Sequence, residues 1–137
     1  MGRCDPNTPT AEVARLEGTA LVLEDALIVA YDAAAMLSEM GISKVEICGT
    51  LAEALALLED GLIPSVALLD IDLGGETSLE AALVLSKLQV PIVYSTGYDA
   101  VEGAIADFPS GIMLNKPYTA EDMSRALARM GLFEGAF

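Results

Sequence analysis

Four short apolar runs in the sequence are followed at once by polar groups that could do chemistry. Glu24-Asp25 follows Ala20-Leu-Val-Leu23, and Asp70-Ile-Asp72 follows Val66-Ala-Leu-Leu69. Ser95-Thr96-Gly97 follows Ile92-Val-Tyr94, and Asn115-Lys116-Pro117 follows Ile112-Met-Leu114. Taken singly, each has an ordinary explanation. Acids suit the positive N-terminus of a helix; Asp70 before a glycine-containing loop and Thr96-Gly97 are turn formers; most lysines are simply solvated. Lys116 is held by a following proline whose bond could be cis. Together the groups say more. Three or four carboxylates gathered at one edge repel by about 1 kcal/mol per close pair in water, and by several times that when partly buried. A divalent cation relieves that repulsion. Hard oxygen donors without Cys or His point to Mg²⁺, with Mn²⁺ as a substitute, rather than to zinc. A lysine and a hydroxyl at the same edge complete a site for a tetrahedral anion, where a carboxylate can act as nucleophile on phosphorus.

The elements that must position these groups are legible in the apolar pattern. The four runs and a fifth, Val45-Glu-Ile-Cys48, which ends blandly at Gly49, have the length and Val/Ile content of buried strands. Between them fall helical periods: Leu27, Ala30, Ala34, Leu37 and Gly41 on one face; Leu51, Ala54, Leu55 and Leu58 on another; Met123, Ala126, Leu127 and Met130 on a third. Thr50 to Glu53, Thr77 to Glu80 and Thr119 to Asp122 each have the Ser/Thr-x-x-acid spacing of a capped helix start. Gly41 and Gly61 are placed to stop the helices before them. The segment 99–107 offers only Val101 and Ile105 and is broken by Gly103, so it reads as a short, mobile helix. The order βαβαβαβαβα specifies an α/β fold, a doubly wound five-stranded parallel sheet with helices on both faces. Ligands in such a sheet bind at the carboxyl ends of the strands, where all four polar groups lie.

Composition sets the outer bounds. The 137 residues suit one domain, read as 18–131, with 1–17 as a flexible leader and 132–137 as a tail. Seven Lys and Arg against 21 Asp and Glu give a formal charge of −14, which disfavours a nucleic-acid partner. With 53% apolar residues the chain can build a core and is no disordered acidic tail. It holds no histidine, which excludes His-dependent catalysis and His-ligated zinc. Cys4 and Cys48 make neither a disulfide framework nor a metal cluster, and Cys48 reads as a small core residue. No uncharged apolar run approaches the roughly 18 residues of a membrane span. The first residues lack the apolar core of a secretory signal, and Pro6 stands where a myristoylation signal wants Ser or Thr. A cytoplasmic, reduced, soluble chain without membrane attachment is the expectation.

On Leu21-Val-Leu-Glu-Asp25, Ala67-Leu-Leu-Asp-Ile-Asp-Leu73, Pro91-Ile-Val-Tyr-Ser-Thr-Gly97 and Asn115-Lys-Pro117, the chain resembles the response-regulator receiver domain of two-component signalling, over about residues 19–131. The resemblance implies a flavodoxin-like (βα)5 receiver. It makes Asp70 the phosphoacceptor, with Asp25 binding Mg²⁺ directly, Glu24 through water and Asp72 through its backbone carbonyl. It makes Thr96 the switch hydroxyl, and Lys116 the cation paired first with Asp70 and then with the phosphoryl group. The partner it implies is a histidine kinase or phosphotransfer protein, read through a first-helix surface that includes Tyr31, Asp32 and Met36. It implies signalling with slow self-dephosphorylation rather than enzymic turnover. A chain of one such domain would be a phosphate sink, a relay shuttle or a protein-contact regulator. Asp70-Ile-Asp-Leu-Gly-Gly-Glu-Thr77 and Ser95-Thr-Gly-Tyr98 also resemble a single-domain subgroup with a Phe-Ala-Thr-Gly signature, associated with HWE-type kinases in alphaproteobacteria. Tyr94-Ser95 stands there in place of Phe-Ala.

Two departures bear on the mechanism. Receivers usually carry an aromatic residue three before the lysine; here it is Met113, with Tyr94 and Tyr98 as candidate substitutes. Asp72 adds a carboxylate where many relatives have another residue, and it is expected to weaken anion binding or to orient the hydrolytic water. Two other functions compete. Asp70-x-Asp72 with Thr96 and Lys116 also fits a haloacid-dehalogenase-type phosphohydrolase, although that motif normally ends the first strand and the chain is short for a substrate cap. A pseudo-receiver that binds partners without accepting phosphate is the other, against which the full Glu24/Asp25/Asp70/Thr96/Lys116 set argues.

Overall fold

The computed structural model describes residues 17–97 and 106–132. Five strands are present: β1 (Thr19–Leu23), β2 (Lys44–Cys48), β3 (Val66–Asp70), β4 (Ile92–Thr96) and β5 (Ile112–Asn115). Four helices lie between and after them: α1 (Leu27–Glu39), α2 (Leu51–Glu59), α3 (Leu79–Lys87) and α4 (Ala120–Arg129). The strands form one parallel sheet in the order β2-β1-β3-β4-β5. The expected α/β architecture is present. The short helix expected at 99–107 falls largely outside the described residues, of which 106–107 form a turn. Most of the leader and tail lie outside them as well. Among the described residues no helix is long and apolar enough to cross a membrane.

Side-chain alternation along the strands divides the core in two. Ala20, Val22, Val66, Leu68, Val93 and Leu114 point to the face covered by α1 and α4, where they meet Ala30, Ala33, Leu37, Met123 and Leu127. Leu21, Leu23, Ala67, Leu69, Ile92 and Tyr94 point to the face covered by α2 and α3, where they meet Ala54, Leu58, Ala81 and Leu85. The central strands β3 and β4 are buried along their whole length. The edge strands β2 and β5 are only partly covered, so the all-buried reading holds for the middle of the sheet and not for its rims.

Local signals act mostly where expected. Gly41 and Gly61 carry φ of 119° and 100°, a region costly for residues with a Cβ. The amides after them, Ile42 and Leu62, turn back to Leu37 O and Leu57 O at 3.1 Å each and close the helices. At α4 the Thr119 hydroxyl accepts from Asp122 N at 3.1 Å while the Asp122 carboxylate accepts from Thr119 N at 2.9 Å. That backbone hydrogen bond, with help from Arg125, holds the Asp122 carboxyl below its ordinary pKa. At α2, Thr50 accepts from Glu53 N at 3.2 Å, but the Glu53 carboxylate reaches Gly49 N at 2.8 Å.

Two expectations need correction. The cap of α3 is Ser78, not Thr77, and it makes no side-chain capping bond; Thr77 Oγ1 accepts instead from Leu79 N at 3.4 Å. The backbone bridge between Asp72 and Thr77 fixes Thr77 in a hairpin and so moves the helix start on by one residue. On α1 the inward stripe is Ala30, Ala33 and Leu37, whereas Leu27, expected inward, is 59% exposed. The helix begins at Leu27, and its first residues Leu27 and Ile28 are both exposed, so the inward stripe starts only at Ala30.

Thr119→Ala should lower unfolding free energy by about 1 kcal/mol, the usual cost of a lost N-cap. Ser78→Ala should cost far less, since the buried Ser78 hydroxyl has no hydrogen-bond partner among the described residues. Urea denaturation of both variants checks this, and equal losses would refute it.

Candidate functional site

The sheet order reverses between β1 and β3, which place Glu24-Asp25 and Asp70 side by side at their carboxyl ends. Glu24, Asp25 and Asp70 each offer an oxygen within 4.8 Å of the other two. Glu24 and Asp70 are buried, and Asp25 is open to solvent. Lys116, one residue past β5, reaches across two strands into this cluster. Its ammonium lies 2.7 Å from Glu24 Oε1 and 2.9 Å from Asp70 Oδ2. Its own amide is fixed by Thr96 O at 2.9 Å, and the Lys116–Pro117 bond is cis.

The oxygens facing away are also engaged. Glu24 Oε2 accepts from Ala26 N at 3.0 Å, and Asp70 Oδ1 accepts from Asp72 N at 3.2 Å. Part of the ordinary explanation for Glu24 is therefore true: it does satisfy an amide at the start of α1. Asp25 has no hydrogen bond or ion pair among the described residues. Three carboxylates facing one ammonium leave two negative charges uncompensated. This excess, on hard oxygen donors, is what a divalent cation such as Mg²⁺ fits.

Thr96 is buried at the end of β4, in register with Asn115 of β5, and its hydroxyl donates to Gly97 O at 3.2 Å. It lies at the same edge as the carboxylates but is turned to its own backbone. Asp72 stands apart from the cluster: its carboxylate accepts from Gly74 N at 3.0 Å. That bond engages one of its two oxygens.

The electrostatics follow from these contacts. Burial alone pulls the Lys116 ammonium down, but its hydrogen bonds to Glu24 and Asp70, and both their charges, outweigh it and raise the pKa above the ordinary value. Tyr118, two residues on, is pushed up to about 12, chiefly by burial and then by the Glu24 charge. Cys48 is pushed up to about 11 by burial and the charges of Glu53 and Glu46, which suits the core role expected of it.

Beside Lys116 a cavity of about 360 Å³ is lined by Val29, Asp32, Met36, Gly97, Pro117 and Tyr118. Two of the three first-helix residues singled out from sequence, Asp32 and Met36, line it, and the third, Tyr31, is exposed nearby on the same helix. Met113 is 39% exposed on β5 and buries no ring-sized group. Its neighbour in register, Tyr94, is fully buried, packs edge-on against Phe108 and donates its hydroxyl to Pro109 O at 2.6 Å. Tyr98 lies outside the described residues. The sequence reading missed the Glu24–Lys116 ion pair, because residues 92 positions apart share no local pattern.

No family model matches the chain, and no curated protein does. Solved structures do. The N-terminal domain of a response regulator/sensory box/GGDEF three-domain protein from Carboxydothermus hydrogenoformans is 27% identical, with a TM-score of 0.71, over 83% of this chain and 93% of that one. The signal receiver domain of a modulated diguanylate cyclase from Desulfovibrio desulfuricans is 28% identical, with a TM-score of 0.68, over 81% and 90%. The receiver domain of the Arabidopsis thaliana histidine kinase CKI1, complexed with Mg²⁺ and BeF₃⁻, shares the fold at 21% identity and a TM-score of 0.69, over 82% and 89%.

Two measurements check the charge balance. Without divalent ions, Asp25→Asn should raise the unfolding midpoint by removing an unpaired charge from the cluster, and Lys116→Met should lower stability by on the order of 3 kcal/mol by orphaning two buried carboxylates. A destabilised Asp25→Asn would show that the cluster is not under repulsion. Tyr94 is pushed from 10.0 up to about 12 by burial. The stability it confers is therefore complete below pH 10 and lost as pH rises through about 12. Urea titrations at rising alkaline pH should show a shallower decline for Tyr94→Phe than for the wild-type chain.

Proposed function

We propose that this chain, a domain of the response-regulator receiver type, accepts a phosphoryl group on Asp70 from the phosphohistidine of a histidine kinase or phosphotransfer protein. The observation that carries the reading is the Asp70 carboxylate, buried at the sheet edge between the Lys116 ammonium at 2.9 Å and the acid pair Glu24-Asp25. Receiver domains among the structural neighbours, one of them complexed with Mg²⁺ and BeF₃⁻, support it.

In the transfer, an Asp70 oxygen forms the new bond to phosphorus while the phosphorus–nitrogen bond of the donor breaks in line. The imidazole leaves with the electron pair and takes a proton from solvent. Lys116 offsets the negative charge of Asp70 and of the arriving oxygens from a position fixed by its backbone bond to Thr96. The Thr96 hydroxyl, held to Gly97 O by one long bond of 3.2 Å, can exchange that bond for a phosphoryl oxygen. Asp25 and Asp70 would hold Mg²⁺ directly, Asp72 through its carbonyl and Glu24 through water, and the bound ion would neutralise charge on the carboxylates and on the transferring group. The Asp72 amide, donating to Asp70 Oδ1 at 3.2 Å, keeps the carboxylate turned so that its second oxygen faces Lys116. The partner docks beside the site, where the cavity next to Lys116 and the exposed Leu27, Ile28 and Tyr31 of α1 give an apolar surface.

Incubation with Mg²⁺ and a small phosphoramidate, followed by mass spectrometry, tests the reading. One phosphoryl adduct per chain is expected, absent in Asp70→Ala and absent when the divalent ion is chelated. Steady release of phosphate from small esters would instead mark a phosphohydrolase. A chain unmodified by every donor would mark a pseudo-receiver.

A further inference from the structure

Residues 72–77 form a tight hairpin immediately after Asp70. Asp72 bridges Thr77, and Leu73 N donates to Glu76 O at 2.8 Å. The turn between them is Gly74-Gly75, with φ of 75° and 114°. The hairpin is tied on both sides: the Asp72 carboxylate accepts from Gly74 N at 3.0 Å, and Glu76 Oε2 accepts from Leu51 N at 3.4 Å at the start of α2. So fixed, it sets the Gly74 backbone against the acid pair. A Cβ at Gly74 would lie 3.3 Å from Asp25 Oδ2, whereas a Cβ at Gly75 would meet nothing within 4 Å. Asp25 has no hydrogen bond or ion pair among the described residues, so the space left by the missing Cβ at Gly74 borders its carboxylate directly.

Resting on the phosphoacceptor reading, we infer that Gly74 is a positioning residue that sets the cation selectivity of the site, by leaving the Asp25 carboxylate room to close on a small ion with Glu24 and Asp70. A side chain at 74 forces Asp25 back by a few tenths of an ångström. Mg²⁺ demands near-ideal octahedral ligands at short distance and cannot absorb that shift, whereas Ca²⁺, with longer and more flexible coordination, can. A general loosening of the site would weaken both ions alike. Selective loss of Mg²⁺ is therefore the signature of this contact.

The experiment is calorimetric titration of the full chain with MgCl₂ and with CaCl₂, alongside urea denaturation. Gly74→Ala should weaken Mg²⁺ binding by about tenfold, the range in which supporting residues alter metal affinity. Its Ca²⁺ affinity should change by less than about threefold, because that ion tolerates displaced ligands. Gly75→Ala carries the more strained φ and no contact with Asp25, so it should lose stability yet keep the wild-type Mg²⁺/Ca²⁺ ratio. Gly74→Asn, which tolerates left-handed φ while adding the same Cβ, replaces Gly74→Ala should that variant fold poorly. An unchanged ratio in the Gly74 variants, beside a wild-type chain that binds Mg²⁺, overturns this inference alone. A wild-type chain that takes up no divalent ion overturns the phosphoacceptor reading, and this inference with it.

Discussion

Like charge held together is the constraint on which the rest of the structure depends. Glu24, Asp25 and Asp70 converge to within 4.8 Å, two of them buried, and Lys116 compensates only part of that charge. Nothing in the physics of a stable core favours such a cluster, because desolvated carboxylates repel more strongly than hydrated ones. What keeps it is the sheet. Asp70 ends the central strand β3, and Glu24-Asp25 follow β1, its paired neighbour. The ladder between β1 and β3 fixes the backbones, and an apolar cluster on each face of the sheet holds the ladder. The energy of burying those strands is what lets the acids face one another.

Lys116 answers the same problem from the other side. It comes from beyond the edge strand β5, and two backbone features position it: its amide bond to Thr96 O and the proline that follows it. The strand that ends in the Thr96 hydroxyl therefore also anchors the Lys116 ammonium. Thr96 and Lys116 are coupled through one peptide carbonyl, so the two groups that would meet a phosphoryl group from one flank share a support. Tyr94, two residues back on the same strand, fixes β4 to the segment before β5 through Pro109. The last strand presents the half-exposed Met113, while its neighbour in register one strand inward is the buried ring of Tyr94.

Most of this was legible from residue order. Apolar runs of the right length gave the strands, and the polar residues closing them gave the site, because a parallel sheet sends all its strand ends to one rim. The helix stops at Gly41 and Gly61 and the double cap at Thr119 and Asp122 were equally plain, since each depends on neighbours a few residues away. What escaped was nonlocal or set by competition. Thr77 has the spacing of a cap, but a hairpin claims it first. Leu27 has the period of a core residue, but it opens α1 and lies exposed, before the buried stripe begins at Ala30. The turn of the Asp72 carboxylate toward Gly74 N depends on how the hairpin folds, which residue order alone does not show.

The chain carries a formal charge of −14, and the rim that holds the acid cluster keeps negative charge in excess of Lys116. On the phosphoacceptor reading, a phosphate donor would approach through that field. A small free anion is repelled at a distance, so its encounter rate rises as added electrolyte screens the repulsion. A protein donor with a basic docking face is drawn in, and its encounter rate falls under the same screening. The direction in which ionic strength moves the rate therefore separates the two kinds of donor before any chemistry begins.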